Sequence, residues 1–157
     1  MSVLIVASEV TDWPFEIPGV EVIDAWTYLT SPDYAGGSKS QRVMNLCRSY
    51  RYQSTGYYVS LLAEARGHKP VPGVITLQDL KNRASVKVLS DELDELIQQN
   101  LGPLQSNEFT LSVYFGRNMA RRYDRLALHL FNLFAAPLLR FEFARNDEGV
   151  WQIRKVQ

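Results

Sequence analysis

Apolar positions along the chain follow two different periods, and the change between them marks the elements. Val3-Leu4-Ile5-Val6-Ala7 is an unbroken apolar run of strand length. Val20 to Ala25 is a second run, and the stretch between them, about a dozen residues, is near the minimum for a parallel crossover. Trp26 to Leu29 continues apolar, and 31–40 reads as a loop broken by Pro32, Gly36 and Gly37. Val43, Met44, Leu46 and Cys47 give a third strand interrupted by Asn45. Ser54 then stands where a helix N-cap is wanted. Tyr58, Leu61, Leu62 and Ala65 recur at i, i+3, i+4 and i+7 and predict the buried face of that helix. Gly67 fits a left-handed C-cap, with Pro70 shortly beyond. Val71 to Ile75 reads as a short fourth strand, and Thr76-Leu77-Gln78-Asp79 as a capping box opening a helix toward Arg83.

The second half changes character. Ser90-Asp91-Glu92 opens a helix lined by Leu93, Leu96, Ile97 and Leu101, and Gly102-Pro103 stops it. Glu108 to Phe115 alternates, with Phe109, Leu111, Val113 and Phe115 on one face. Tyr123, Leu126, Ala127, Leu130 and Phe134 mark an amphipathic helix over 121–134. Leu138 to Ala144 and Val150 to Val156 flank the turn Asn146-Asp147-Glu148-Gly149 and predict a terminal β-hairpin. The expected fold is α/β, turning α+β in the second half: a Rossmann-like, mostly parallel sheet flanked by helices, with a C-terminal hairpin. A length of 157 residues fits one domain over 1–157.

Chemistry concentrates between the third strand and its helix. Ligands in open α/β sheets sit outside the carboxyl ends of parallel strands, and a helix N-terminus attracts anions. The turn there carries Arg48, Ser49, Tyr50, Arg51, Tyr52 and Ser54, with Tyr57 following. No acidic residue lies between Ser38 and Ala63 to neutralise the arginines. Gly56, in the first helical turn, leaves room for a ligand to approach the backbone. These residues form a candidate site for a carboxylate or phosphate, against the plainer reading that the arginines are solvated or paired and the tyrosines pack. Gly116-Arg117-Asn118 repeats the strand-to-helix setting, so Arg117 is expected either to join Arg48 in one crevice or to be a solvated loop charge.

Composition narrows the classes. Lys+Arg and Asp+Glu number 17 each, which argues against a general nucleic-acid binder. One cysteine excludes an internal disulfide and suits a reducing, cytoplasmic setting; no secretory signal or membrane-span length is present. There is no Walker A loop, G-x-G-x-x-G, H-E-x-x-H or C-x-x-C, and two histidines with one cysteine do not make a zinc site. Cys47 and His68 flank a helix whose ends lie about 20 Å apart, so they are not expected to meet. Cys47 reads as a small buried residue, His68 as a polar residue past a helix C-terminus, and His129 as a surface or boundary residue. Asp12, Asp24 and Asp33 show no partner by spacing, and Arg140 and Glu142 share a strand face suited to pairing there or across strands.

The stretch from Asn45-Leu46-Cys47-Arg48-Ser49-Tyr50-Arg51-Tyr52 through Gly67-His68 resembles the RimK-like ATP-grasp N-terminal domain family. Tyr114-Phe115-Gly116 and Ala136-Pro137-Leu138-Leu139-Arg140 share the resemblance. It implies the front domain of a ligase that activates a carboxylate as an acyl phosphate and passes it to an amine. The implied partner is an ATP-grasp ligase domain, in cis or in trans, expected to begin about where the chain stops at Gln157. The resemblance puts ATP and magnesium in that domain and no cofactor or metal in this chain, which alone is not expected to ligate. The implied ligand is an anionic peptide-like or amino-acid substrate; no nucleic acid and no membrane are expected. The alternative is a protein–protein interaction module without a small-molecule site, docking a partner through its Phe- and Leu-rich C-terminal half.

Overall fold

The apolar runs of the first half become a parallel sheet because they are buried and too short to span anything but a strand. The computed structural model describes residues 2–36 and 41–157; Gly37 and the rest of the expected loop to Ser40 lie outside the described residues. The chain forms two compact units, Met1–Leu77 and Gln78–Gln157, described in turn.

In the first unit, β1 (Val3–Ala7), β2 (Val20–Asp24), β3 (Arg42–Leu46) and β4 (Lys69–Val71) form a wholly parallel sheet in the order β2-β1-β3-β4. Leu4, Val6 and Val43 lie in one core cluster with Ala25 and Tyr28 of α1 (Ala25–Thr30) and Val59 and Ala63 of α2 (Thr55–Ala65). The sequence reading missed α1. Its signal was Asp24, whose carboxylate accepts the Thr27 N–H at 2.9 Å and the Thr27 hydroxyl at 2.6 Å, capping the helix.

Two further expectations are corrected here. The buried face of α2 is Gly56, Tyr57, Val59, Ser60 and Ala63, not the larger apolar set; Tyr58 and Leu61 face solvent. Gly56 and Ser60 take their places on that face because buried Asn45 of β3 reaches across to them. Its Nδ2 donates to the Gly56 carbonyl at 2.7 Å and to Ser60 Oγ at 2.9 Å. The fourth strand is Lys69–Val71, and α3 (Val74–Lys81) starts where the strand was expected to continue. Pro72-Gly73 interrupts the ladder, and Glu64 Oε1 accepts the Val74 N–H at 2.9 Å. Thr76 to Asp79 therefore sit inside the helix rather than at its start.

The second unit is antiparallel. β5 (Glu108–Tyr114), β6 (Leu138–Arg145) and β7 (Trp151–Val156) form a sheet in that order, the last two joined by the expected turn. One face, with Leu111, Val113, Phe141, Phe143 and Trp151, buries against α5 (Asp94–Leu101) and α6 (Asp124–Leu133). The apolar stripe expected over 121–134 is buried throughout, behind a 3-10 first turn at Arg121–Tyr123. The helix expected to open at Ser90 starts at Asp94 as α5, and Ser90 and Asp91 instead end a separate helix, α4 (Arg83–Asp91), which Asn82 caps through the Ala84 and Ser85 N–H groups. Most of the phenylalanines and leucines of this half are core, so they do not offer the docking face that composition suggested. Glu142 does pair across strands, with Arg154 at 3.7 Å. Among the described residues no helix is long and apolar enough to cross a membrane.

His68, the polar residue expected past the C-terminus of α2, is buried. It is 5% exposed, its Nδ1 lies 2.9 Å from the Tyr28 hydroxyl, and its Nε2 has no hydrogen-bond partner among the described residues. Burial, then the nearby Arg66, holds its pKa below the usual histidine value. The folded state thus binds the proton less readily than the unfolded chain. This stability is fully present above the unfolded pKa and is lost as pH falls below about 6.5 toward the lower folded value. Urea unfolding should show a lower midpoint at about pH 5.5 than at about pH 7.5, and His68→Gln should remove most of that difference.

Candidate functional site

The strand order sets where a site can form. From β1 the chain goes to β2 on one side and later returns as β3 on the other, so the switch point lies at the carboxyl ends of β1 and β3. The Arg48-bearing turn leaves the sheet there, and Ser54 caps α2 as the sequence required, accepting the Tyr57 N–H at 3.3 Å. The backbone of the turn is tied to β1: the Arg48 N–H donates to Ser8 Oγ at 3.0 Å.

The two arginines have different fates. Arg48 Nη2 lies 2.5 Å from Asp12 Oδ1 and 3.5 Å from Glu9 Oε2, both in the 3-10 turn after β1. That pairing holds the Asp12 carboxyl below its ordinary range and raises the Arg48 guanidinium. Thirty-six positions separate the partners, which is why spacing along the sequence could not reveal them. Arg51 is exposed, and its side chain has no ion pair among the described residues. The turn therefore holds one neutralised cation and one open one.

Gly56 is needed for the packing of the turn itself. A Cβ there would stand 2.1 Å from the Ser49 carbonyl oxygen and 2.8 Å from Cys47 Cβ. The protein's own chain takes the close approach, and Ser54 Oγ donates to that same carbonyl at 3.2 Å. Tyr50 is also structural: its hydroxyl donates to the Asn45 carbonyl at 2.5 Å, its ring packs against both core clusters of the unit, and burial raises its pKa. Tyr57 packs with Val74 and Leu77. Tyr52 is 69% exposed and meets the Tyr57 ring edge-on at 5.3 Å. Arg51, Tyr52 and the Ser49 side chain thus form the outward surface of the turn. Cys47 is buried, and desolvation pushes its thiol up to about 11, which suits packing rather than nucleophilic attack.

Arg117 stands in a different setting. Phe115 and Gly116 both have positive φ, and Tyr114 and Arg117 exchange backbone hydrogen bonds at 2.8 and 3.0 Å. This is a tight two-residue reversal at the end of an antiparallel strand, not a parallel strand feeding a helix. Arg117 is exposed in the second unit, and Arg48 belongs to the first. No cluster of three histidine, cysteine or acidic side chains able to hold a metal occurs among the described residues.

The Gly56 contact gives a direct test of how the turn is built. Gly56→Ala should destabilise the chain by about 2 kcal/mol or more, because backbone rather than a flexible side chain must move. Gly36→Ala, where a Cβ meets nothing within 4 Å, should change stability by less than about 0.5 kcal/mol. Chemical denaturation midpoints of the two variants measure the contrast.

Comparison with known proteins identifies the fold and the family. The solved RimK-domain ATP-grasp protein of Sphaerobacter thermophilus DSM 20745 is similar to this chain with a TM-score of 0.55 at 10% identity, covering 99% of this chain and 90% of that one. D-alanine–D-alanine ligase from Bacillus anthracis, complexed with ATP, gives 0.52 at 10% identity, covering 100% and 86%. The ATP-grasp ligase PsnB, complexed with precursor peptide PsnA2 and AMPPNP, gives 0.50 at 7% identity, covering 99% and 88%. At these identities the likeness is one of fold. No curated protein matches the sequence. The sequence model of the RimK-like ATPgrasp N-terminal domain matches residues 25–157, from the start of α1 through the whole second unit. The chain therefore belongs to the RimK-like ATP-grasp N-terminal domain family.

Proposed function

We propose that this chain is the accessory front domain of an ATP-dependent carboxylate–amine ligase and that its β3–α2 turn binds an anionic group of the substrate. The family match supports the first part. The second rests on one observation: Arg51 is an exposed guanidinium, with no ion pair among the described residues, at the carboxyl end of a parallel strand, ahead of a helix N-terminus. Arg51 is the binding cation, a planar donor suited to a carboxylate or phosphate. Tyr52 and Ser49 border it, while Ser54, Gly56 and Tyr57 fix the turn. Arg48, held by Asp12 and Glu9, acts as a positioning residue. ATP and magnesium belong to the ligase domain, in cis or in trans, which supplies the acyl-phosphate chemistry. The substrate class is an acidic amino acid or peptide; PsnB was captured with a precursor peptide. A buried free cysteine fits a cytoplasmic setting.

A second reading, an interaction module with no small-molecule site, draws on the same turn. Ser49 fills the space over Gly56, and carboxylates already occupy Arg48. In that reading exposed Tyr52, Tyr58 and Leu61 dock the ligase domain.

Steady-state kinetics of the ligase formed with this chain separate the two. Arg51→Ala should raise the KM for the acidic substrate about tenfold with kcat little changed, as loss of a charge-assisted hydrogen bond implies. An unchanged KM, together with loss of the ligase domain's association in Leu61→Asp, would favour docking instead.

A further inference from the structure

The second unit holds a groove that the β3–α2 turn does not explain. It measures about 820 Å³ and runs between the α3–α4 helices and strands β6 and β7. Its apolar lining includes Leu80, Val86 and Ile153. Lys81, Arg83, Lys87, Arg145, Arg154 and Lys155 line it too, against Glu142 as its one carboxylate. That imbalance is local, since the whole chain is neutral.

Some of these cations already have work. Arg154 pairs with Glu108 at 2.8 Å and with Glu142 at 3.7 Å. Arg145 donates to the Gly102 carbonyl at 3.2 Å and to that of Leu104, and lies over the Trp151 ring. Lys87 and Lys155 are exposed, and neither has a carboxylate in reach among the described residues. Arg83 makes only a 3.4 Å hydrogen bond to the Arg154 carbonyl.

The groove also contains the free edge of a sheet. β7 pairs with β6 on one side and, among the described residues, with no strand on the other. An open edge is a template for another extended chain and is usually blocked. Here the block is partial. The Gln98 side chain donates to the Trp151 carbonyl at 2.7 Å and accepts the Trp151 N–H at 3.0 Å, so it stands in for a neighbouring strand at the first residue. Arg83 covers the Arg154 carbonyl weakly. Beyond these the outward backbone of Ile153 and Val156 meets no strand, with basic side chains beside it.

We propose that this groove binds an extended acidic peptide segment, whose main chain adds to the edge of β7 while its carboxylates meet Lys87, Lys155 and Arg83. Main-chain pairing would supply affinity and the cations would supply selectivity. A polyphosphate or an RNA strand would satisfy the charge but would leave the strand edge and the apolar lining unused, so a peptide is the occupant that uses all three features. The proposal does not depend on the Arg51 site, which lies in the other unit.

Fluorescence anisotropy on the whole chain tests it, with a labelled synthetic peptide of alternating glutamate and valine as the probe. The expected result is saturable binding that weakens with added salt. The double variant Lys87→Glu, Lys155→Glu should weaken it at least about tenfold, and N-methylation of alternate peptide bonds should do the same. Both lysines are exposed, so the variant should keep the wild-type melting temperature. No binding, insensitivity to the lysine reversal, insensitivity to N-methylation, or equal binding of a lysine–valine peptide overturns the proposal. So does equally tight competition by inorganic polyphosphate or an RNA oligonucleotide, which would make the groove a general anion site.

Discussion

A single buried amide holds the first unit together. Asn45, fully buried in β3, donates to the Gly56 carbonyl and to Ser60 Oγ, and its Oδ1 accepts the Cys47 N–H at 3.2 Å. Ser60 Oγ in turn donates to the Pro72 carbonyl at 2.6 Å. One side chain thus fixes the end of β3, the start of α2 and, through Ser60, the approach to α3. Burying an amide is costly unless its hydrogen bonds are made, and here they are. The polar interruption in an otherwise apolar strand therefore specifies a geometry rather than weakening a core. Everything proposed for the turn depends on that geometry, because residues 48–53 bridge two points that Asn45 holds.

Charge is then distributed by topology. The switch point of the sheet brings the turn after β1 beside the turn after β3, and two acids from one meet an arginine from the other. An exposed pair of this kind adds little stability. Its effect is positional: it fixes the trunk of the loop and leaves Arg51 beyond it, uncompensated. The second unit does the same on a different scaffold. Arg154 and Arg145 are spent on Glu108, Glu142 and backbone carbonyls, and Lys87 and Lys155, with no carboxylate in reach among the described residues, stand beside a strand edge. A chain that is neutral overall thus carries two local surpluses of positive charge.

How much of this was legible along the sequence depends on the range of the interaction. Strands β1 and β2, the Ser54 cap, the left-handed Gly67 and the alternation of β5 follow from neighbouring residues, and all were readable. So was the resemblance carried by the stretch after Asn45. Helix α1 was hidden by an apolar run whose only mark was the cap at Asp24, and α4 by the lack of a stop signal ahead of Asn82. The buried face of α2 was misread because apolar size was taken as the guide, whereas the Asn45 bridge and the Ser49 carbonyl demand serine and glycine at positions 60 and 56. Arg48's carboxylates, the partner of His68 and the basic groove all join residues tens of positions apart. Only tertiary structure brings them together.

We propose the turn held by Asn45 as the ligand-facing element of the first unit, with Arg51 as its open cation. Titrating the isotope-labelled chain with glutarate, a simple dicarboxylate, and following backbone amides by NMR tests this most directly. Saturable shifts confined to residues 49–55 and abolished in Arg51→Ala are expected. Shifts that are absent, or that persist unchanged without the Arg51 guanidinium, would contradict it.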